Sequence, residues 1–251
     1  MSGLLVLKNL AIGYGQTIVQ KDLNLSAPEG TMIAMLGQNG CGKSTLLRTL
    51  SGLQPQLNGE VFLDGKKISE LSSHEKATLM SLVLTERHSV GQTKVYDVVA
   101  MGRHPYTSFL GTLTDDDRQI VYDALNNVAM TQKAEAYFNE LSDGEKQRVL
   151  IAKALAQQTP IILLDEPTAH LDLPNRIKTM LLLRKLAQEQ HKLIIISTHE
   201  LDLAQQTADY IWLMSAGKGI VADTPEKLRQ TNAYIDAFPD LPEEWRVKMS
   251  F

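Results

Sequence analysis

The segment Gly37-Gln-Asn-Gly-Cys-Gly-Lys-Ser44 limits the choice of fold more than any other feature of the chain. A strand-like apolar run, Thr31–Leu36, leads into it, and Thr45–Leu50 reads as helix after it. The pattern G-x-x-x-x-G-K-[ST] between a strand and a helix describes a phosphate-binding loop. Glycines let backbone N–H groups curl around phosphate oxygens without interference from Cβ atoms, and the helix N-terminus adds partial positive charge. On this reading Gly37, Gln38, Asn39, Gly40, Cys41, Gly42, Lys43, Ser44 and Thr45 line a nucleotide site. Lys43 supplies a cation to the outer phosphates and Ser44 a hydroxyl for Mg²⁺. The alternative is a glycine-rich turn that happens to contain Lys-Ser.

Two further runs are apolar throughout, Ile161–Leu164 and Leu193–Ile196, as central strands of a parallel sheet covered on both faces must be. The first ends in adjacent acids, Asp165 and Glu166. Open α/β sheets collect ligands at the carboxyl ends of their strands, which puts Asp165 beside the phosphate loop as a Mg²⁺ ligand. Glu166 then faces the position of an attacking water, as a general base must. The competing reading is a strand capped by solvated acids. The second run continues into Ser-Thr-His199, where the imidazole can reach a terminal phosphate; alone, a histidine at a strand end is most often structural.

The remainder frames these segments. The first 65 residues read as β-rich, with Leu4–Leu7, Leu23–Ser26 and Val61–Leu63 set between turn signals. Between about Ser72 and Glu140 the pattern turns helical: Thr114 or Asp115 can cap a helix on which Ile120, Ala124 and Val128 recur every four residues. From about Gly217 the chain reads as turns and a short tail. The composition, 43% hydrophobic and 22% charged with net charge −4, excludes disorder and a chain built to coat nucleic acid. The single cysteine, Cys41, points to a reducing compartment. From its place in the loop it is expected to react with thiol reagents and to be protected by Mg-ATP. The N-terminus makes a poor signal peptide, and no apolar run approaches the ~20 residues of a membrane span.

Leu141-Ser-Asp-Gly-Glu-Lys-Gln-Arg148 opens another helix, with Ser142 and Glu145 at capping-box spacing and Ile151, Ala154 and Leu155 on an apolar stripe. Gly144 in the first turn costs about 1 kcal/mol against alanine, which close approach of a phosphate would explain. LSDGEKQR, between a phosphate loop and an LLDEPT strand, resembles the signature of ATP-binding cassette (ABC) ATPases, and the likeness runs over about residues 4 to 225. It implies an α/β fold: a P-loop cassette domain over 1–225 with a β-rich N-terminal part, a parallel-sheet core and an inserted helical subdomain at about 86–158. Residues 226–251 remain a tail without assigned role.

The resemblance further implies that two copies sandwich two ATP molecules head to tail. Ser142 and Gly144 of one copy then contact the phosphate held by the other, and Asp172 crosses the interface. Glu166 becomes the general base, His199 the switch histidine, and Tyr14 the aromatic that stacks on adenine. Two positions depart from the family pattern. Asp143 and Glu145 bring negative charge to the signature. The family's Mg²⁺-contacting Q-loop glutamine is missing from its place; Thr85 stands there, and the resemblance leaves Thr85, or Glu86 beside it, to serve as the Mg²⁺ contact. VVAMGRHPYTSFLG, residues 98–111, resembles ATPase subunits of importers for iron chelates, haem and cobalamin. That implies ATP and Mg²⁺ as cofactors, and transmembrane permease subunits and an extracytoplasmic substrate-binding protein as partners, with no nucleic acid. The location implied is peripheral, on the cytoplasmic face of the cell membrane. The competing functions are an exporter or lipoprotein-release ATPase, and a non-transport cassette ATPase.

Overall fold

The computed structural model describes residues 3–84, 91–107 and 111–238. The chain opens with the antiparallel pair β1 (Leu5–Tyr14) and β2 (Thr17–Ala27), followed by β3 (Met32–Gly37) and α1 (Lys43–Leu50). Then come β4 (Asn58–Leu63), β5 (Lys66–Lys67), α2 (Ser73–Leu79) and β6 (Met80–Val83). Three helices follow: α3 (Val95–Ala100), α4 (Asp115–Asn127) and α5 (Asp143–Ala156). The chain then alternates through β7 (Ile161–Asp165), α6 (Leu173–Glu189), β8 (Leu193–Ser197), α7 (Leu201–Thr207) and β9 (Tyr210–Ser215). It ends, within the described residues, with β10 (Gly219–Asp223), α8 (Pro225–Arg229) and α9 (Ala233–Ala237).

Two sheets result. The smaller is antiparallel in the order β2-β1-β4-β5; the larger runs β10-β9-β3-β8-β7-β6, parallel from β9 to β6, with β10 antiparallel at its edge. The apolar runs are explained by this arrangement. On β8, Leu193 and Ile195 join a core shared with the smaller sheet and α1, whereas Ile194 and Ile196 join a core shared with α6 and the helical region. Side chains alternate across a strand, so a sheet covered on both faces needs apolar residues at both parities. Helix α1 lies between the two sheets, burying Leu46, Leu47 and Leu50.

Two stretches differ from the expectation. Met80–Val83, within the region read as helical, pairs parallel with β7 and forms an edge strand of the main sheet. Four residues are too few to show a period, and only the neighbouring strand gives them their conformation. The stretch after Gly217 forms β10 and two short helices rather than turns alone, and Leu228, Tyr234 and Ala237 are buried in the larger core. Their hydrophobic positions are too few for a helical pattern.

The three helices α3, α4 and α5 pack on one another around a buried ion pair. Gly102 comes so close to α5 that a Cβ there would lie 2.3 Å from the Lys153 carbonyl. The adjacent Arg103, 5% exposed, donates from Nε to Asp117 Oδ1 at 2.9 Å, and from Nη1 to Ala156 O at 2.8 Å and Gln158 Oε1 at 3.0 Å. Asp117 in turn completes the capping box of Thr114 on α4. Gly-Arg at 102–103 therefore joins the start of α4 to the end of α5. Among the described residues no helix is long and apolar enough to cross a membrane.

Candidate functional site

Strand order builds the site. β3 lies next to β8 and β8 next to β7, so the carboxyl ends Gly37, Ser197 and Asp165 fall side by side. The phosphate loop leaves the first, the His199 loop the second, and the Glu166 loop the third.

The loop takes its shape from contacts that exclude side chains. A Cβ on Gly37 would stand 2.4 Å from Met214 O, and one on Gly42, at φ +108°, 2.7 Å from a Val19 methyl. Gly42 is also the N-cap of α1 and provides no capping side chain, so the first N–H groups of the helix are left to an incoming anion. Lys43 folds over the loop, its Nζ donating to Gly37 O at 2.7 Å and Gln38 O at 3.1 Å. Exposed Tyr14 reaches the same helix, its hydroxyl 3.1 Å from Thr45 Oγ1. Asn39 and Gly40 are exposed at the rim, and Cys41 is buried beneath the loop.

The Cys41 thiol corrects the labelling expectation. It is 1% exposed, and its Sγ packs toward Gly37. Burial pushes its pKa up, only partly offset by the nearby Lys43 ammonium. An inaccessible thiol with little thiolate is a poor target.

Sequence reasoning missed the residue that holds this loop in place. Gln20, on β2 and fully buried, donates from Nε2 to Cys41 O at 2.9 Å and to Ser215 O at 2.7 Å, and its Oε1 accepts from Gly219 N at 3.0 Å. One amide thus ties the phosphate loop to the β9–β10 turn. A polar residue at an inward position of β2 was the only available signal, and it does not reveal its partners.

Opposite the loop, Ser44 Oγ donates to Asp165 Oδ1 at 3.1 Å. Ser197, also missed, donates to the same oxygen at 2.5 Å and accepts from the Glu166 N–H at 2.8 Å. Its signal was its place opposite Asp165 in the parallel register, which requires the fold to be known. Glu166 sits at φ +46° and His170 at φ +64°, a left-handed backbone that costs a non-glycine residue roughly 1–2 kcal/mol and is held only where the surroundings over-determine it. The Glu166 carboxylate projects to within 3.9 Å of His199 Nδ1, close enough for one water to touch both. An accessible hydroxyl beside a carboxylate also fits Mg²⁺, which takes few protein oxygens and completes its shell with water and phosphate. Thr85 and Glu86 lie outside the described residues, as do residues 108–110 of the 98–111 stretch.

Ser142 and Gly144 belong to a different surface of the chain. Ser142 caps α5 in a full capping box with Glu145, and a Cβ on Gly144 would lie 3.3 Å from the Asn175 side chain. Close packing against α6 thus accounts for part of the glycine. Lys133 Nζ bonds the Glu145 carboxylate at 2.5 Å and, with the Ser142 N–H, holds its pKa down to about 2. The Glu145 charge, one of the two that depart from the family signature, is therefore paired within the chain. Asp172 caps α6, accepting from Asn175 N at 3.1 Å.

Comparison with known proteins agrees with the fold. The family model described as ABC transporter matches residues 20–169. The iron(3+)-hydroxamate import ATP-binding protein FhuC of Bacillus subtilis is 37% identical over 89% of this chain and 85% of its own. A chain from a transporter described as of metal-chelate type, in an inward-facing conformation, superposes with a TM-score of 0.84 at 29% identity, covering 95% of this chain and 90% of that one. The ATP-binding cassette MJ0796, in a dimeric post-hydrolysis state with ADP and Pi, superposes at 0.75 with 27% identity over 88% of this chain and 98% of its own.

Proposed function

The chain belongs to the ABC transporter family, and from that premise we propose that it is the ATP-hydrolysing subunit of an importer for an iron chelate, haem or cobalamin. ATP binding closes a head-to-tail dimer of two copies, closure drives permease subunits in the membrane, and hydrolysis resets the cycle. The cassette takes in residues 1–225, with the helical subdomain at about 86–158, and its core extends beyond that bound to Leu228, Tyr234 and Ala237. Its place is the cytoplasmic face of the membrane, and a separate extracytoplasmic protein delivers the cargo.

The observation that carries the reading is the convergence of Lys43, Ser44, Asp165, Glu166 and His199 at three adjoining strand ends. Phosphates enter the cradle of Gly37–Thr45, and Lys43 exchanges its two carbonyl partners for their charge. Tyr14, exposed beside Thr45, stacks on the adenine. Ser44 and Asp165 would hold Mg²⁺, whose charge would offset that of the outer phosphates. Glu166 takes the proton of the attacking water, and His199 orients that water toward the terminal phosphate. Across the dimer, Ser142 and Gly144 of one copy close over the phosphate held by the other, and Asp172 crosses between them.

Glu166→Gln tests the scheme. The variant is expected to bind Mg-ATP, lose turnover and accumulate as a dimer, which size-exclusion chromatography with Mg-ATP detects. From solubilised host membranes it is expected to retain a polytopic permease of the iron-chelate or cobalamin type. Turnover at the parent rate would remove Glu166 from its role, and capture of an exporter-type membrane protein would overturn import.

A further inference from the structure

Glu166 and His199 stand on different loops, and among the described residues no hydrogen bond joins their side chains across the 3.9 Å gap. On the strand side, Ser197 holds Asp165 and the Glu166 N–H. On the far side a second connection exists. Arg176, in the first turns of α6, donates from Nε to the Leu171 carbonyl at 2.6 Å, and its Nη1 lies 3.4 Å from Glu200 Oε1. Leu171 ends the loop that begins at Glu166. That loop is a compact double turn, with Ala169 N on Glu166 O at 3.0 Å and Leu171 N on Thr168 O at 3.2 Å, so a hold on Leu171 is transmitted to Glu166.

Glu200 follows His199 directly. Its backbone N–H bonds Thr198 Oγ1 at 3.1 Å, and its own carbonyl receives the first helical bond of α7, from Ala204 N at 3.0 Å. Its side chain is 12% exposed, and its Oε1 has no hydrogen-bond partner among the described residues, which leaves the Arg176 guanidinium as the neighbouring countercharge. A carboxylate with so little exposure, its Oε1 covered and facing the guanidinium, is held where that cation is held.

We propose that Arg176 is a positioning residue for ATP hydrolysis: by binding Leu171 O and Glu200 together, it sets the distance between the general base and the switch histidine. Arg176 touches neither nucleotide nor water in this role. The inference rests on the ATPase reading and adds to it a residue outside the site.

The test uses the full chain with Arg176→Gln, Arg176→Lys, Glu200→Gln and the Arg176→Gln/Glu200→Gln double variant. Misplacement of a catalytic group by about 1 Å costs up to ~100-fold in rate, and a loosened strut is expected to lower kcat about tenfold. KM and Mg-ATP affinity should stay within about twofold, because the phosphate loop is untouched. Arg176→Lys should recover part of the loss, and the double variant should be no worse than either single one, as groups acting as a unit are non-additive. Parent kcat in Arg176→Gln would overturn the proposal. So would a fall in kcat accompanied by a rise in KM of more than about twofold and a lower melting temperature, or additive losses in the double variant. A parent chain that turns over ATP and loses it in Glu166→Gln, yet is unaffected by Arg176→Gln, sinks this inference alone. No turnover in the parent would remove the ATPase reading together with it.

Discussion

Replacing Ser197 by alanine removes one oxygen atom from the centre of the site. The side chain is fully buried, so water does not take its place. The Glu166 N–H loses its acceptor, and a buried unsatisfied amide costs about 1–3 kcal/mol. Asp165 loses a charge-assisted bond worth about 1.5–3 kcal/mol, though the Ser44 donor remains. Because the two losses share one atom and the backbone at Glu166 can relax out of its left-handed conformation, the sum is less than the parts, about 2–4 kcal/mol. For a chain of this size each kcal/mol shifts Tm by about 2–4 °C, so thermal unfolding should move down by roughly 5–15 °C. The same relaxation carries the Glu166 carboxylate away from His199, and kcat should fall more than tenfold. Differential scanning calorimetry and a phosphate-release assay at saturating Mg-ATP read the two effects. A Tm within about 1 °C of the parent with unchanged kcat would mean that Ser197 holds neither residue.

Three other perturbations test separate parts of the structure. Cys41 should react with a chromogenic disulfide at least ~100-fold more slowly in the native chain than in denaturant, since reaction waits on local opening; equal rates would mean the thiol is not buried. Asp117→Asn leaves the buried Arg103 guanidinium without its countercharge and should cost about 3 kcal/mol in urea unfolding; a neutral variant would refute the ion pair's role. Glu145, whose folded pKa is lowered to about 2 from 4.5, stabilises the chain above about pH 4.5 and loses that contribution as the pH falls toward 2. The stability gap between the parent and Glu145→Gln should therefore close over that interval, and a gap independent of pH would refute the pairing with Lys133 and Ser142.

Much of the molecule followed from local patterns. The phosphate loop, the strands β7 and β8, the N-cap of α4 and the capping box at Ser142 are written in contiguous residues, because backbone geometry and burial on both faces impose residue types at short, fixed spacings. The adjacent acids and the histidine were identified in the same way, each at the end of an apolar run.

Tertiary structure decided what those residues meet. Ser197 serves the site because parallel register sets it against Asp165, a relation across 32 positions with no local trace. Gln20 holds the phosphate loop from a strand of the other sheet, and Arg176 spans two loops that the β7–β8 pairing brings side by side. Met80–Val83 became a strand because β7 had an open edge to fill, and the glutamate of the signature lost its liability because Lys133 folds back to it. The physical reason is common to these cases. Local preferences are set by neighbours within a turn of helix or a pleat of strand, whereas a buried polar atom must find its partner wherever the packed chain places one.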